Sequence, residues 1–122
     1  MNLMIVEDNV RMRESIERFL VKNVRNIGTT LQCRDGIEAV ASYDRFRPDW
    51  VLMDIEMGPT DGFTASRAIL HAHPDARIII LTSHDDARYR ETAHAVGAHA
   101  YVLKENLQDI PGIIEESSHP SE

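Results

Sequence analysis

Residues 50–54 of the chain are Trp50-Val51-Leu52-Met53-Asp54, four apolar residues followed by an acid. A second apolar run, residues 3–6, precedes Glu7 and Asp8. A short apolar run of this kind is typical of a buried strand. In a parallel sheet the carboxyl ends of the strands meet at one edge, where ligands bind. The sequence therefore predicts that the carboxylates of Glu7, Asp8 and Asp54 lie together at that edge.

Three neighbouring carboxylates repel one another, which raises the pKa of at least one of them unless a cation compensates. Clusters of this kind are typical of hard divalent metal sites. Magnesium takes one or two carboxylates together with phosphate oxygens and water. We therefore expect Asp8 and Asp54 to bind Mg²⁺ directly and Glu7 to act through a bound water.

Short apolar runs alternate with segments of helical period five times, which predicts an α/β fold with a parallel sheet and helices on both faces. The run Ile78-Ile79-Ile80-Leu81 predicts a strand covered on both faces and central in the sheet. The predicted strands are residues 3–6, a segment within 27–33, 50–53, 77–81 and 100–103. The predicted helices are residues 9–22, a segment around 37–43, 63–70, 85–96 and a last helix from about residue 106, in which Pro111 is tolerable only in the first turn or at a bend.

Thr82 follows the fourth predicted strand and Lys104 follows the fifth, so both are expected at the same edge as the acids. These residues are the parts of a phosphoryl-transfer site. Asp54 is the expected nucleophile toward phosphorus and forms an acyl phosphate. Lys104 supplies a positive charge and Thr82 a hydroxyl donor to the oxygens of the transferred group.

The chain resembles a receiver domain of a two-component response regulator over essentially its whole length. The resemblance rests on several stretches taken together: residues 5–9, 35–39, 48–57, Asp61-Gly62, Leu81-Thr82-Ser83, Gly97-Ala98 and residues 101–104. It implies a doubly wound, flavodoxin-like sheet of five strands in the order 2-1-3-4-5. Two positions differ from the family pattern, since Pro59 stands one place late after Met57 and Glu105 replaces a common proline.

The resemblance also implies roles for single residues. Asp54 is phosphorylated by a histidine kinase or a histidine phosphotransfer protein, and the backbone carbonyl of Glu56 joins Asp8 and Asp54 around Mg²⁺. Thr82 and Tyr101 are the implied switch pair, which changes the surface formed by the fourth helix, the fifth strand and the fifth helix. The side chains of Glu56 and His84 are implied to influence the lifetime of the phosphoryl group.

Two other functions remain open from the sequence. A phosphatase of the haloacid-dehalogenase type also uses a strand-end Asp, a Thr or Ser, a Lys and magnesium, but it usually has Asp where this chain has Glu56. A receiver that binds partners without phosphorylation is the other alternative, although all five site residues are present: Glu7, Asp8, Asp54, Thr82 and Lys104. We therefore expect a signalling switch and not an enzyme that turns over a separate substrate.

Composition limits the partners. The chain has 122 residues, enough for one domain, with 43% hydrophobic and 27% charged residues. A net charge of −7 argues against nucleic-acid binding by this chain. One cysteine, no signal-peptide pattern and no long apolar run predict a cytoplasmic protein that does not contact a membrane.

Residues 1–116 are the expected domain, and residues 117–122 are a tail or the start of a linker. A downstream protein target, an output domain in a longer protein and a phosphorylation-dependent homodimer all remain open.

Overall fold

A computed structural model describes residues 1–58 and 60–118. Its centre is a parallel sheet of five strands in the order β2-β1-β3-β4-β5. The strands are β1 Asn2–Val6, β2 Thr29–Cys33, β3 Trp50–Met53, β4 Ile78–Thr82 and β5 Ala100–Leu103. The predicted fold class and strand order are confirmed.

Five α-helices follow the strands in alternation. They are α1 Val10–Asn23, α2 Gly36–Phe46, α3 Gly62–Ala72, α4 Ala87–Val96 and α5 Ile110–Ser118. Asx side chains stand before the first four helices and accept a hydrogen bond from an amide of the first turn, as N-caps do. Gly97 ends α4 with a φ of 96°, a conformation that glycine adopts without steric cost. These caps fix where the connecting loops begin and end.

The sheet separates two apolar cores, because successive side chains of a strand point to opposite faces. On one face Leu3, Trp50 and Ile79 pack with residues of α1 and α5. On the other face Met4, Val51 and Ile78 pack with residues of α2, α3 and α4. All four residues of β3 and all five of β4 are buried, which confirms that these strands are covered on both sides. The loops at the sheet edge therefore rest on a well-packed support.

The start of the last helix was predicted wrongly. Residues Lys104–Asp109 form a 3₁₀ segment, and α5 begins at Ile110 and not near Asn106. Pro111 explains the difference, since proline lacks an amide hydrogen and fits only the first turn of an α-helix. It is the second residue of α5, as expected of a tolerated proline.

The predicted proline shift at residue 59 and the last four residues of the predicted tail, 119–122, lie outside the described residues. Within the part of the chain that the structure describes, no helix has the length and apolar character needed to span a membrane. Cys33, the single cysteine, is fully buried at the end of β2.

Candidate functional site

The predicted acidic cluster forms at the carboxyl edge of the sheet. Val6 of β1 and Met53 of β3 are paired in register, so the next residues, Glu7 and Asp54, lie side by side. The amide of Asp54 donates to the carbonyl of Val6 at 3.0 Å, which extends the ladder to this point. Carboxylate oxygens of Glu7, Asp8 and Asp54 all lie within 4.8 Å of one another. Glu7 and Asp54 are only 2% and 3% exposed, whereas Asp8 is exposed.

Lys104 brings a positive charge into this cluster from the end of β5. Its Nζ lies 2.6 Å from Oε1 of Glu7 and 3.5 Å from Oδ2 of Asp54. The side chain of Lys104 is 17% exposed, so the contact with Glu7 is a largely buried ion pair. Such a pair is held firmly, because separating it leaves a charge buried without a partner. Lys104 therefore binds both acids that the sheet buries.

The backbone around Glu7 supports this arrangement. The amide of Asn9 donates to Oε2 of Glu7 at 3.0 Å, and the guanidinium of Arg13 donates to the Glu7 carbonyl at 2.7 Å. Arg13 also donates through Nε to the side chain of Gln32 at 2.9 Å, which ties α1 to β2. Glu7 is thus held from its carboxylate and from its backbone.

The acids of the cluster differ in their pKa values. Burial and the neighbouring Glu7 charge raise the pKa of Asp54 to about 7, although Lys104 acts in the opposite direction. Burial also works against an ionised Glu7, but the hydrogen bonds from Lys104 and from the Asn9 amide outweigh it and lower the pKa of Glu7. Partial burial and the Glu7 charge raise the pKa of Asp8. The predicted rise in pKa is therefore found at Asp54 and Asp8. The ammonium group of Lys104 compensates the charge of Glu7 most directly.

Thr82 and Tyr101 lie on the neighbouring strands. Thr82 is fully buried, and its Oγ accepts a hydrogen bond from the amide of His84 at 3.2 Å. Tyr101 is half-buried, and its hydroxyl donates to the carbonyl of His84. Both predicted switch residues are thereby bonded to one residue of the loop between β4 and α4.

Glu56 and His84 form a contact that we did not predict from the sequence. The Glu56 amide donates to Oδ1 of Asp54 at 3.3 Å, while the Glu56 carboxylate is paired with Nε2 of His84. The two residues stand at equivalent places, each two positions after the functional residue that Asp54 or Thr82 provides on adjacent strands. Because β3 and β4 pair in parallel, the loops that follow them leave the sheet side by side, and the Glu56 and His84 side chains meet there. The matching intervals after Asp54 and after Thr82 were the available signal.

Gly62 also has a packing role that the sequence analysis missed, since we used it only as part of the family resemblance and as the residue before a helix. A Cβ atom at this position would lie 2.1 Å from the carbonyl oxygen of Asp54 and 2.8 Å from the Cα of Ile55. Both atoms belong to the backbone and have little room to move. The first turn of α3 therefore packs directly against the backbone of Asp54 and Ile55, and only glycine fits there.

The site offers carboxylate oxygens and one ammonium group around Asp54, and the buried hydroxyl of Thr82 ends the adjacent strand β4. Oxygen ligands suit a hard cation such as Mg²⁺, and the raised pKa of Asp54 shows that its charged form lacks full compensation in the protein alone. The arrangement is suited to binding a divalent cation and an anionic group against Asp54.

A comparison with protein-family models finds one family that matches most of the chain. The family model described as the response regulator receiver domain matches residues 3–115. The transcriptional regulatory protein DegU of Brevibacillus brevis is 32% identical over 113 residues, which cover 93% of this chain and 47% of that protein. The Fimbriae Z protein of Salmonella typhimurium is 34% identical over 110 residues, covering 89% and 52%. The chain spans about half the length of the curated relatives it matches.

Solved structures share the fold. A two-component response regulator of the LuxR family from Aurantimonas sp. SI85-9A1 superposes with a TM-score of 0.87 at 29% identity, covering 95% of this chain and 83% of that chain. A DNA-binding response regulator of the LuxR family from Staphylococcus aureus gives a TM-score of 0.88 at 24% identity, covering 97% and 98%.

Proposed function

The chain belongs to the response regulator receiver domain family, whose members are phosphoacceptors in two-component signalling, and we propose that Asp54 is the phosphoacceptor of this chain. The observation that carries the proposal is the position of Asp54 at the end of β3, next to Glu7 and within 3.5 Å of the Lys104 ammonium. An oxygen of Asp54 forms a P–O bond as the P–N bond of a phosphohistidine donor breaks. The electron pair of the broken bond stays with the imidazole.

We propose that Asp8, Asp54 and the backbone carbonyl of Glu56 hold Mg²⁺, with Glu7 acting through water. The cluster of carboxylate oxygens within 4.8 Å supports this set, since the donors are all oxygen. When bound, Mg²⁺ supplies positive charge that offsets the negative charge of the acids and of the incoming phosphoryl group. Asp54 would be more fully ionised with Mg²⁺ held there, because a proton and a metal cannot share the same carboxylate oxygen.

The remaining site residues act on the phosphoryl group after transfer. We propose that Lys104 binds one phosphoryl oxygen and that Thr82 donates its hydroxyl to another. Movement of Thr82 toward Asp54 makes room for the Tyr101 ring, which changes the surface of α4, β5 and α5. The pair of Glu56 and His84 lies at the loops that border Asp54, and we propose that it affects how fast water removes the phosphoryl group.

We propose that residues 1–116 form the receiver domain of the signalling protein. The donor is a histidine kinase or a histidine phosphotransfer protein. The recipient of the signal is a protein target or an output domain, and names of relatives such as a transcriptional regulatory protein favour an output that controls transcription. The switched surface is also the proposed face of a phosphorylation-dependent homodimer.

The chemistry we propose is limited to gaining and losing one phosphoryl group on Asp54. The family match and the buried ion pair of Glu7 with Lys104 support this function over a haloacid-dehalogenase phosphatase. A receiver that works by contact alone is the other alternative, and the retained cluster of acids and Lys104 argues against it.

Intact mass after incubation with acetyl phosphate tests the proposal. The wild-type chain is expected to gain one phosphoryl group when Mg²⁺ is present and to gain none when the metal is chelated. Asp54→Asn is expected to gain none under either condition. Asp44→Asn serves as a matched control, because Asp44 is an exposed acid of α2 away from the sheet edge. An adduct that persists in Asp54→Asn overturns the assignment. Absence of both an adduct and released phosphate in the wild type favours the contact-only alternative.

A further inference from the structure

The ring of Tyr101 is covered by a charged side chain of α4. The guanidinium carbon of Arg90 lies 4.5 Å from the centroid of the Tyr101 ring. A cation placed over an aromatic face within about 6 Å is attracted by the ring's electron distribution. The contact joins α4 to β5 at the residue we assign to the switch.

Arg90 is itself fixed by the loop that precedes α4. Its Nε and Nη2 both lie 3.1 Å from Oδ1 of Asp85. Asp85 directly follows His84, the residue whose carbonyl accepts the Tyr101 hydroxyl and whose amide donates to Thr82. The ring of Tyr101 is thus held at two points, at its hydroxyl by His84 and at its face by Arg90. Both points depend on the same short loop.

From these contacts we propose that Arg90, anchored by Asp85, is a positioning residue that couples the loop between β4 and α4 to the ring of Tyr101. This inference rests on the proposed function, because it concerns how a phosphoryl group on Asp54 reaches the switch residue. When Thr82 turns toward Asp54, it leaves the His84 amide, and the loop that carries Asp85 is released. The guanidinium then moves with Asp85 and uncovers the ring. Without Arg90 the loop still moves, but no side chain transmits this movement to the face of the Tyr101 ring.

A neighbouring arginine on the same helix offers a control. Arg88 is 90% exposed and lies 3.9 Å from Asp86, the residue that caps α4, and it does not contact the Tyr101 ring in the described residues. Arg88→Met and Arg90→Met remove the same charge and keep a similar apolar stem. A difference between the two variants therefore reports the position of the charge and not the net charge of α4.

The first test is a double-mutant cycle on folding stability that needs no phosphoryl group. Arg90→Met and Tyr101→Leu, alone and together, are compared by urea unfolding. We expect the two substitutions to be coupled by about twofold to fivefold in the unfolding equilibrium constant, as for an exposed cation over a ring. The same cycle with Arg88→Met is expected to show no coupling. Equal coupling in both cycles, or none in either, overturns the proposed contact.

The second test measures the signal itself. The chain contains three tyrosines, so fluorotyrosine labelling gives three ¹⁹F resonances, and Tyr101→Phe identifies one of them. With acetyl phosphate and Mg²⁺, we expect the Tyr101 resonance of the wild type and of Arg88→Met to move. In Arg90→Met and Asp85→Asn that movement is expected to fall by at least half, while intact mass shows the same phosphoryl adduct. A full response in Arg90→Met with a normal adduct overturns the coupling and leaves the function of Asp54 intact. Loss of the adduct in the wild type overturns the function instead, and the stability cycle still decides the contact.

Discussion

Asp54 is held in an environment that disfavours its own charge. Burial and the adjacent Glu7 raise its pKa from the ordinary value of 3.8 to about 7. At pH values between these two pKa values, Asp54 is protonated in the folded chain but ionised in the unfolded chain. The free energy of unfolding of the metal-free protein therefore falls as pH rises from about 4 to about 7, as far as Asp54 is concerned.

Asp54→Asn removes this titration, so we expect the variant to be more stable than the wild type above pH 7 in the presence of EDTA. The difference should be small at pH 4 and should grow to at most about 4 kcal/mol at pH 8. Thermal unfolding of both proteins across this pH range is the measurement. If the difference in unfolding free energy between Asp54→Asn and the wild type does not change with pH, the pKa of Asp54 is not raised in the folded chain.

Lys104 stabilises the folded chain, because its positive charge compensates the buried carboxylate of Glu7. Lys104→Met leaves Glu7 ionised, 2% exposed and without its cation. We expect a loss of about 2 to 4 kcal/mol at pH 7.5, measured by urea unfolding, since breaking a buried pair leaves an uncompensated charge. Without Lys104 the pKa of Glu7 rises, so Glu7 takes up a proton in acid. The loss should therefore shrink toward pH 5.

Lys22→Met is the matched control for this prediction, because Lys22 is exposed in the last turn of α1. Its effect should stay within about 0.5 kcal/mol at both pH values. Similar losses in the two variants would contradict the role given to the Glu7 pair.

At the scale of elements, the first turn of α3 fixes the loop that carries Asp54. Gly62→Ala places a Cβ atom 2.1 Å from the Asp54 carbonyl oxygen, so either α3 or the loop has to move. We expect a loss of about 2 to 4 kcal/mol in urea unfolding, as for other changes that force the backbone apart. The displaced loop should also slow acquisition of a phosphoryl group from acetyl phosphate.

Gly112→Ala provides the comparison within a helix, because a Cβ at that position would have no described atom within 4 Å apart from its chain neighbours and its own helix backbone. Alanine has the higher helix propensity, so this variant should gain up to about 1 kcal/mol. A Gly62→Ala protein as stable as the wild type would show that the close approach to Asp54 does not constrain the loop.

The elements show which parts of the fold could be predicted from sequence. The strands β3 and β4 were found because each is an apolar run of the right length, and a buried parallel strand leaves that pattern. The start of α5 was placed too early because Leu107 fits the helical face, while Pro111 limits the α-helix to the residues from Ile110 onward. Apolar pattern identifies which residues are buried, but proline geometry decides where the helix begins.

The sequence predicted which residues form the site but not all of the contacts between their side chains. Residues at strand ends could be grouped at one edge, so Glu7, Asp8 and Asp54 were expected together, and the structure places them together. Individual side-chain contacts were not predicted, such as the pair of Glu56 with His84 between two loops and the stacking of Arg90 of α4 on Tyr101 of β5. Such contacts depend on loop conformation and side-chain rotamers, which leave no periodic pattern in the sequence. The order of the strands came from the family resemblance, because periodicity does not encode which strands are neighbours.

At the scale of the whole molecule, the central strands and the edge strand β5 contribute different residues to the site. Asp54 and Thr82 lie at the ends of the two fully buried central strands, while Tyr101 and Lys104 belong to the edge strand β5 and the segment after it. We therefore propose that a change at the centre of the sheet reaches the surface through β5 and α4. We expect an output domain or a separate partner to read the signal at this surface.

The most direct test of this account is hydrogen–deuterium exchange, because it follows the whole backbone at once. Wild type and Asp54→Asn are compared with and without acetyl phosphate in the presence of Mg²⁺. For the wild type we predict that acetyl phosphate changes exchange in the loop between β4 and α4, in α4 and in β5, while α2 stays unchanged. Asp54→Asn should show no change. A wild-type protein that carries the phosphoryl adduct but shows no change in these segments, or a change centred on α2, would contradict the proposed path from Asp54 to the surface.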